Sequence, residues 1–251
     1  MSAFADLHHE DEPLLLPNAW DHASARALAG QGFRAIATTS LGVAAVAGLP
    51  DGVAATREET LRLAFALGSE PFQLSVDAEG GFSDDPDEVA EFARELDAVG
   101  AVGINLEDGL GPVARHAAKI AAVKKAAPAL FVNARTDTHW LGDGDTTDTL
   151  TRLDAYRQAG ADGVFVPGLT DLHRIAALVH HVDVPLNVLY SPGGPTVAHL
   201  ADVGVRRISL GSLLYRRALG AALEAAADIR AGRLPKGMTP SYDEVALPPT
   251  R

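Results

Sequence analysis

Short apolar runs that end in polar residues recur along the chain at roughly thirty-residue intervals, separated by Ala-rich stretches with helical spacing of their apolar positions. Eight such runs predict strands at Leu14–Pro17, Ala35–Ser40, Phe72–Glu79, Gly103–Asp108, Leu130–Asp137, Gly163–Pro167, Pro185–Tyr190 and Arg207–Gly211. A predicted helix follows each, starting near Asp21, Thr56, Asp85, Val113, Thr146, Thr170, Pro195 and Leu213. Asp85-Pro86-Asp87-Glu88 supplies a cap, a first-turn proline and acids at the positive end of the helix dipole. Thr56 with Glu59 has the pattern of a capping box. A helix-then-glycine rhythm at Gly100, Gly160 and Gly204 reads as C-terminal caps feeding the next strand. Repeated βα units without a linker-like break predict one α/β domain over residues 1–251, a (β/α)8 barrel of TIM type with 213–251 as a C-terminal helical extension. A doubly wound sheet would carry a G-x-G-x-x-G turn, and none is present.

Alternation along a strand places Ser75, Asp77 and Glu79 on one face, Asn105 and Glu107 on another, and Asn133, Arg135 and Asp137 on a third. Thr38 and Ser40 share a face in the same way, and Asn187 stands between Leu186 and Val188. Polar groups at the C-terminal ends of several barrel strands are where such folds keep active sites. Asp77, Glu79 and Glu107 would repel one another there unless a cation relieved them, and hard oxygen ligands select Mg2+ or Mn2+. Because Mg2+ keeps several waters, Asp77 is the expected direct ligand, with Glu79 and Glu107 acting through water. Arg135 offers a bidentate fork to a substrate carboxylate, or else forms a structural ion pair with Glu107. Ser191–Thr196 reads either as a phosphate-binding turn, through Gly193 and Gly194, or as a plain turn ahead of Pro195. His8, His9, His180 and His181 read as surface residues, and His116 either enters the site from a loop or is a helix-face residue.

Charge and composition narrow the partners. With 33 acidic against 21 basic residues, the formal charge of −12 disfavours nucleic acid and anionic membrane surfaces. The absence of Cys excludes disulfides, thiolate metal sites and cysteine nucleophiles. No apolar run reaches membrane-spanning length and the first residues lack a signal-peptide pattern, so the expected location is cytoplasmic.

Val76-Asp77-Ala78-Glu79-Gly80-Gly81, Ile104-Asn105-Leu106-Glu107-Asp108 and Asn133-Ala134-Arg135-Thr136-Asp137 resemble the isocitrate lyase and phosphoenolpyruvate mutase superfamily. The likeness extends through Pro17–Asp21, Thr38–Gly42, Gly48–Asp51 and Pro185–Asn187. The resemblance implies a Mg2+-dependent enzyme that makes or breaks a C–C or P–C bond beside a 2-oxo acid through an enolate-like intermediate. It implies that Ser40, Leu41 and Gly42 hold the substrate carboxylate and oxyanion, that Asp51 is a loop aspartate of the catalytic set, and that Asp77 binds the metal. Glu79 and Glu107 would hold metal waters, Arg135 would bind substrate, and Asn187 would touch it. It also implies a terminal helix, Leu213–Ala231, exchanged between subunits of a dimer or tetramer. The chain departs from the lyases, which carry a Lys-x-Cys-Gly-His loop where this sequence has Gly109–His116, and Gly168 stands where they place a glutamate. The remaining alternatives are a non-catalytic 2-oxo-acid binder and a phosphate-binding barrel isomerase.

Overall fold

The computed structural model describes residues 2–246. A short helix α1 (Ala3–Asp6) precedes β1 (Leu14–Leu16), β2 (Asn18–Ala19), α2 (His22–Gly30), β3 (Ala35–Thr38), α3 (Ser40–Ala47), α4 (Arg57–Leu67) and β4 (Gln73–Asp77). There follow α5 (Pro86–Ala98), β5 (Ala101–Glu107), α6 (Val113–Ala126), β6 (Phe131–Arg135), α7 (Thr146–Gln158), β7 (Gly163–Val166) and α8 (Leu172–His181). The last elements are β8 (Leu186–Leu189), α9 (Val197–Asp202), β9 (Arg207–Ser209), α10 (Leu213–Arg230) and α11 (Tyr242–Val245).

Every strand pair is parallel, in the order β1-β9-β8-β7-β6-β5-β4-β3-β2. Pro17 divides the first predicted strand because it has no N–H to give a ladder. The Leu16 carbonyl accepts from Leu210 N–H on one side (3.2 Å), and the Pro17 carbonyl accepts from Ala37 N–H on the other (2.8 Å). The two halves of this stave bind opposite ends of the sheet, which turns nine strand segments into an α/β barrel of TIM type. The glycines at the predicted helix ends take positive φ, 102° at Gly100 and Gly160 and 87° at Gly204. Ser191–Gly194 forms a turn closed by Gly194 N–H on the Ser191 carbonyl (2.9 Å).

Two readings need correction. Ser40 does not end a strand: Val43 N–H bonds the Thr39 carbonyl (3.0 Å), so the chain turns into α3 at Ser40. His8 is not a surface residue. Phe4, Leu7, Leu16, Ala35, Ala37 and Phe131 pack together at the N-terminal end of the barrel, and His8 joins them, stacked on Phe131 with centroids 4.4 Å apart. Its Nδ1 N–H donates to the Phe4 carbonyl (3.0 Å), and burial pulls its pKa down to about 3. The polar doublet hid an amphipathic plug.

The two larger apolar clusters lie between the sheet and its helices. No residue of α10 is buried, although the Trp20 and Tyr215 rings meet edge to face at 5.4 Å. Of the expected extension 213–251, residues 247–251 lie outside the described residues. Among the described residues no helix is long and apolar enough to cross a membrane.

Phe4 is fully buried against Phe131. Phe4→Ala is expected to lower the unfolding free energy by about 3–5 kcal/mol in denaturant titration; a loss below about 1 kcal/mol would mean that the plug adds little to the barrel.

Candidate active site

The strands bring most of the predicted polar residues to one mouth. Asp77 ends β4 and its backbone N–H donates to Thr38 Oγ1 (2.9 Å). Its Oδ2 accepts from the Ser40 N–H (3.2 Å), so the carboxylate sits against the N-terminus of α3, where unsatisfied N–H groups favour negative charge. Gly42, in the first turn of α3, is needed there: a Cβ would lie 2.7 Å from Trp20 Cβ and 2.8 Å from Thr39 Cγ2.

Glu79 lies two residues past the strand, not on it, with φ 47°. Its side chain still enters the mouth, because Oε2 accepts from Ala54 N–H (3.1 Å) and Oε1 from the Thr56 hydroxyl (2.5 Å). The capping box expected of Thr56 and Glu59 does not form; Thr56 makes no cap bond and spends its hydroxyl on Glu79. Ala54 also has positive φ, 59°. Two non-glycine residues in the left-handed region, each costing of order 1 kcal/mol, flank this contact.

Arg135 closes the other side. Its Nη1 lies 2.7 Å from Glu107 Oε2 and its Nε donates to Asp137 Oδ1 (2.7 Å), so the ion pair weighed in the sequence is present. Those contacts use two of five guanidinium donors and leave the Nη2 pair free of a carboxylate. Burial pushes Glu107 up to about 8; Arg135 opposes this, and Asp77, Asp137 and Glu79 reinforce it. Burial likewise raises Glu79, against the bonds from Thr56 and Ala54. Asp51 lies in the exposed loop after α3; partial desolvation raises it too, with the Ser40 hydroxyl pulling down and Asp77 pushing up.

Below this layer Arg207 is fully buried inside the barrel. Its Nη2 donates to Asn105 Oδ1 (3.0 Å) and Ser75 Oγ (3.3 Å), and Asn133 donates to the same Asn105 oxygen (2.8 Å). Burial lowers its pKa to about 9, with Asp77 opposing. Asn187, paired with Arg207 in the β8–β9 register, is fully buried, and its amide O and N both lack partners among the described residues.

A third group fastens the loop after β5. Asp108 accepts from Arg152 Nη1 (2.9 Å), the Tyr156 hydroxyl (2.7 Å), and the N–H groups of Leu110 (3.0 Å) and Asp137 (3.1 Å). Burial alone would raise its carboxyl; the hydrogen bonds outweigh burial and hold it below the usual range. Arg152 and Tyr156, one helical turn apart on α7, were not singled out from sequence, nor was Lys119. The signal for Lys119 was present, since it occupies the same buried stripe of α6 as His116, Ile120 and Val123.

Among the described residues no three His, Asp or Glu side chains form a ready-made metal cage. The donor set nevertheless fits a divalent cation held by one direct carboxylate and by waters. Burial pushes the Glu107 carboxyl up against the pull of Arg135, and Asp77, Asp137 and Glu79 add to the rise, so the cluster has room for further positive charge.

Acids and an arginine at the C-terminal strand ends of a parallel barrel lie where this fold keeps its active sites, and the chain's relatives support an enzyme of the lyase and mutase type. The phosphoenolpyruvate phosphomutase family model matches residues 4–230, and the chain belongs to that family. An uncharacterized protein of Mycobacterium tuberculosis is 46% identical over 242 residues, covering 94% of this chain and 92% of the relative. The 2-methylisocitrate lyase of Bacillus subtilis is 30% identical over 213 residues, covering 79% and 70%. A solved Burkholderia cenocepacia structure, provisionally assigned as a lyase/mutase, has 38% identity and TM-score 0.88, covering 96% of this chain and 92% of that one.

The Glu107 shift gives a pH prediction. A carboxyl raised from 4.5 to about 8 favours folding while protonated, so its contribution is complete below pH 4.5 and is lost as pH rises through about 8. Melting temperature without metal is expected to fall over that window, and stabilisation by added Mg2+ to grow over it. Glu107→Gln should flatten both trends in thermal melts; equal slopes in the two proteins would remove the buried-proton account.

Proposed function

We propose that the protein makes or breaks a C–C or P–C bond of a small 2-oxo or 2-hydroxy carboxylic acid, with Mg2+ or Mn2+ as cofactor, through an enolate-like substrate intermediate. The observation that carries this reading is the under-neutralised carboxylate cluster beside Arg135. Asp77 would hold the cation directly, and Glu79 and Glu107 would hold its waters. When bound, the cation supplies positive charge where negative charge develops on the substrate's 2-oxygen.

The remaining work falls to the chain. Arg135, oriented by Glu107 and Asp137, offers its free Nη2 donors to the substrate carboxylate. The backbone of Ser40, Leu41 and Gly42 at the start of α3 binds the same carboxylate and the oxyanion. Asn187 offers an unpartnered amide from the barrel floor. Asp51, with its raised carboxyl on an exposed loop, is the proton-transfer candidate in a chain without cysteine. Relatives named 2-methylisocitrate lyase and oxaloacetate decarboxylase act on small carboxylic acids by their names, which supports the substrate class.

Calorimetry with oxalate, an enolate mimic, tests the reading. Oxalate is expected to bind only with Mg2+ present, Asp77→Asn to abolish that binding, and Arg135→Lys to weaken it by about tenfold or more. Oxalate binding indifferent to Mg2+ would overturn the enolate mechanism; binding without turnover of any 2-oxo or 2-hydroxy acid in a panel would favour the non-catalytic binder.

We also propose that α10 packs on a second copy of this chain. Leu219, Leu223 and Ile229 are 49%, 65% and 64% exposed on it. Sedimentation should report a dimer or tetramer, and a monomer at micromolar concentration would contradict the proposal.

A further inference from the structure

A cavity of about 350 Å3 continues from Glu79 and Glu107 past Gly80, Phe82 and Gly109 to Lys119, and neither Ser40 nor Arg135 lines it. It therefore leads away from the end of the site proposed to hold the 2-oxo acid. Lys119 is only 7% exposed, held on the apolar stripe of α6. An ammonium has three donors. One bonds the Gly80 carbonyl (2.9 Å), and a second leans on Asp84 at 3.7 Å, whose other oxygen is already taken by Arg115 (2.6 Å). At least one donor has no protein acceptor, so the charge is loosely compensated. Burial accordingly pulls the Lys119 pKa below its ordinary value, against Asp84.

Among the described residues Lys119 is the sole basic side chain lining the cavity. Two further acids on its wall, Asp84 and Asp108, are already paired with Arg115 and Arg152. A negatively charged ligand group entering beside Lys119 would complete its coordination. An uncharged one would leave a buried ammonium short of an acceptor, a penalty that discriminates between ligands.

Building on the proposed function, we propose that Lys119 binds an anionic tail of the substrate, remote from its 2-oxo acid end, and so selects substrates with a charged leaving or migrating fragment. A carboxylate and a phosphonate share the oxyanion chemistry that a point-charge ammonium accepts.

Calorimetry in Mg2+ with oxalate, 2-hydroxybutyrate, malate and 3-phosphonolactate tests this on the full chain. The wild type is expected to bind malate or 3-phosphonolactate about tenfold or more tighter than uncharged-tailed 2-hydroxybutyrate, and the tighter of the two identifies the tail. Lys119→Met should erase that preference while keeping the wild-type affinity for tail-less oxalate and the melting temperature; Lys119→Arg should retain the preference. A preference that survives Lys119→Met, no preference in the wild type, or a parallel fall in oxalate and malate affinity would each overturn the assignment. If the wild type shows no Mg2+-dependent oxalate binding, the proposed function fails first and the role of Lys119 fails with it.

Discussion

Too little positive charge among too many buried carboxylates is the constraint around which the mouth of this barrel is organised. Each acid is accommodated by a different device. Asp77 sits at the N-terminus of α3, Glu79 is gripped by a neighbouring loop, Asp137 takes the Nε donor of Arg135, and Glu107 takes a donor of the same guanidinium while burial raises its carboxyl. Arg207 lies deeper, bonded only to neutral groups, and adds the electrostatic floor of the site. These solutions would be wasteful in a protein selected for stability alone, since apolar residues of similar volume would fill the space without the desolvation cost. Charged groups perturbed in this way cluster at functional sites.

Strand alternation made the barrel legible, because a parallel sheet covered by helices leaves a regular apolar rhythm, and parity carried Asp77, Glu107, Arg135 and Asn187 to the correct interior. What escaped depended on contacts distant in sequence. Thr56 looks like a cap when only α4 is considered; Glu79, arriving from another loop, is a better partner for its hydroxyl. His8 sits in a polar doublet and is judged by its neighbours, yet the rings of Phe4 and Phe131 enclose it. Lys119 and Arg152 are buried cations, and a residue type that is normally solvated gives little local warning of burial.

Asp108 joins the carboxylate layer of the mouth to the connection that follows β5. It accepts from residues of α7, from Leu110 in its own turn and from the backbone of Asp137, so the carboxylate that orients Arg135 shares one anchor with the connection itself.

The grip of Ala54 and Thr56 on Glu79 also makes loop position and carboxylate orientation one equilibrium instead of two. Thermodynamic reciprocity then requires that a ligand fixing Glu79 tightens residues 52–56 to the same degree that tightening those residues improves ligand affinity. A ligand that altered the hydrogen bonds of the Glu79 carboxylate would therefore act on the backbone of Ala54 and the hydroxyl of Thr56 as well, two partners far from Glu79 in the chain.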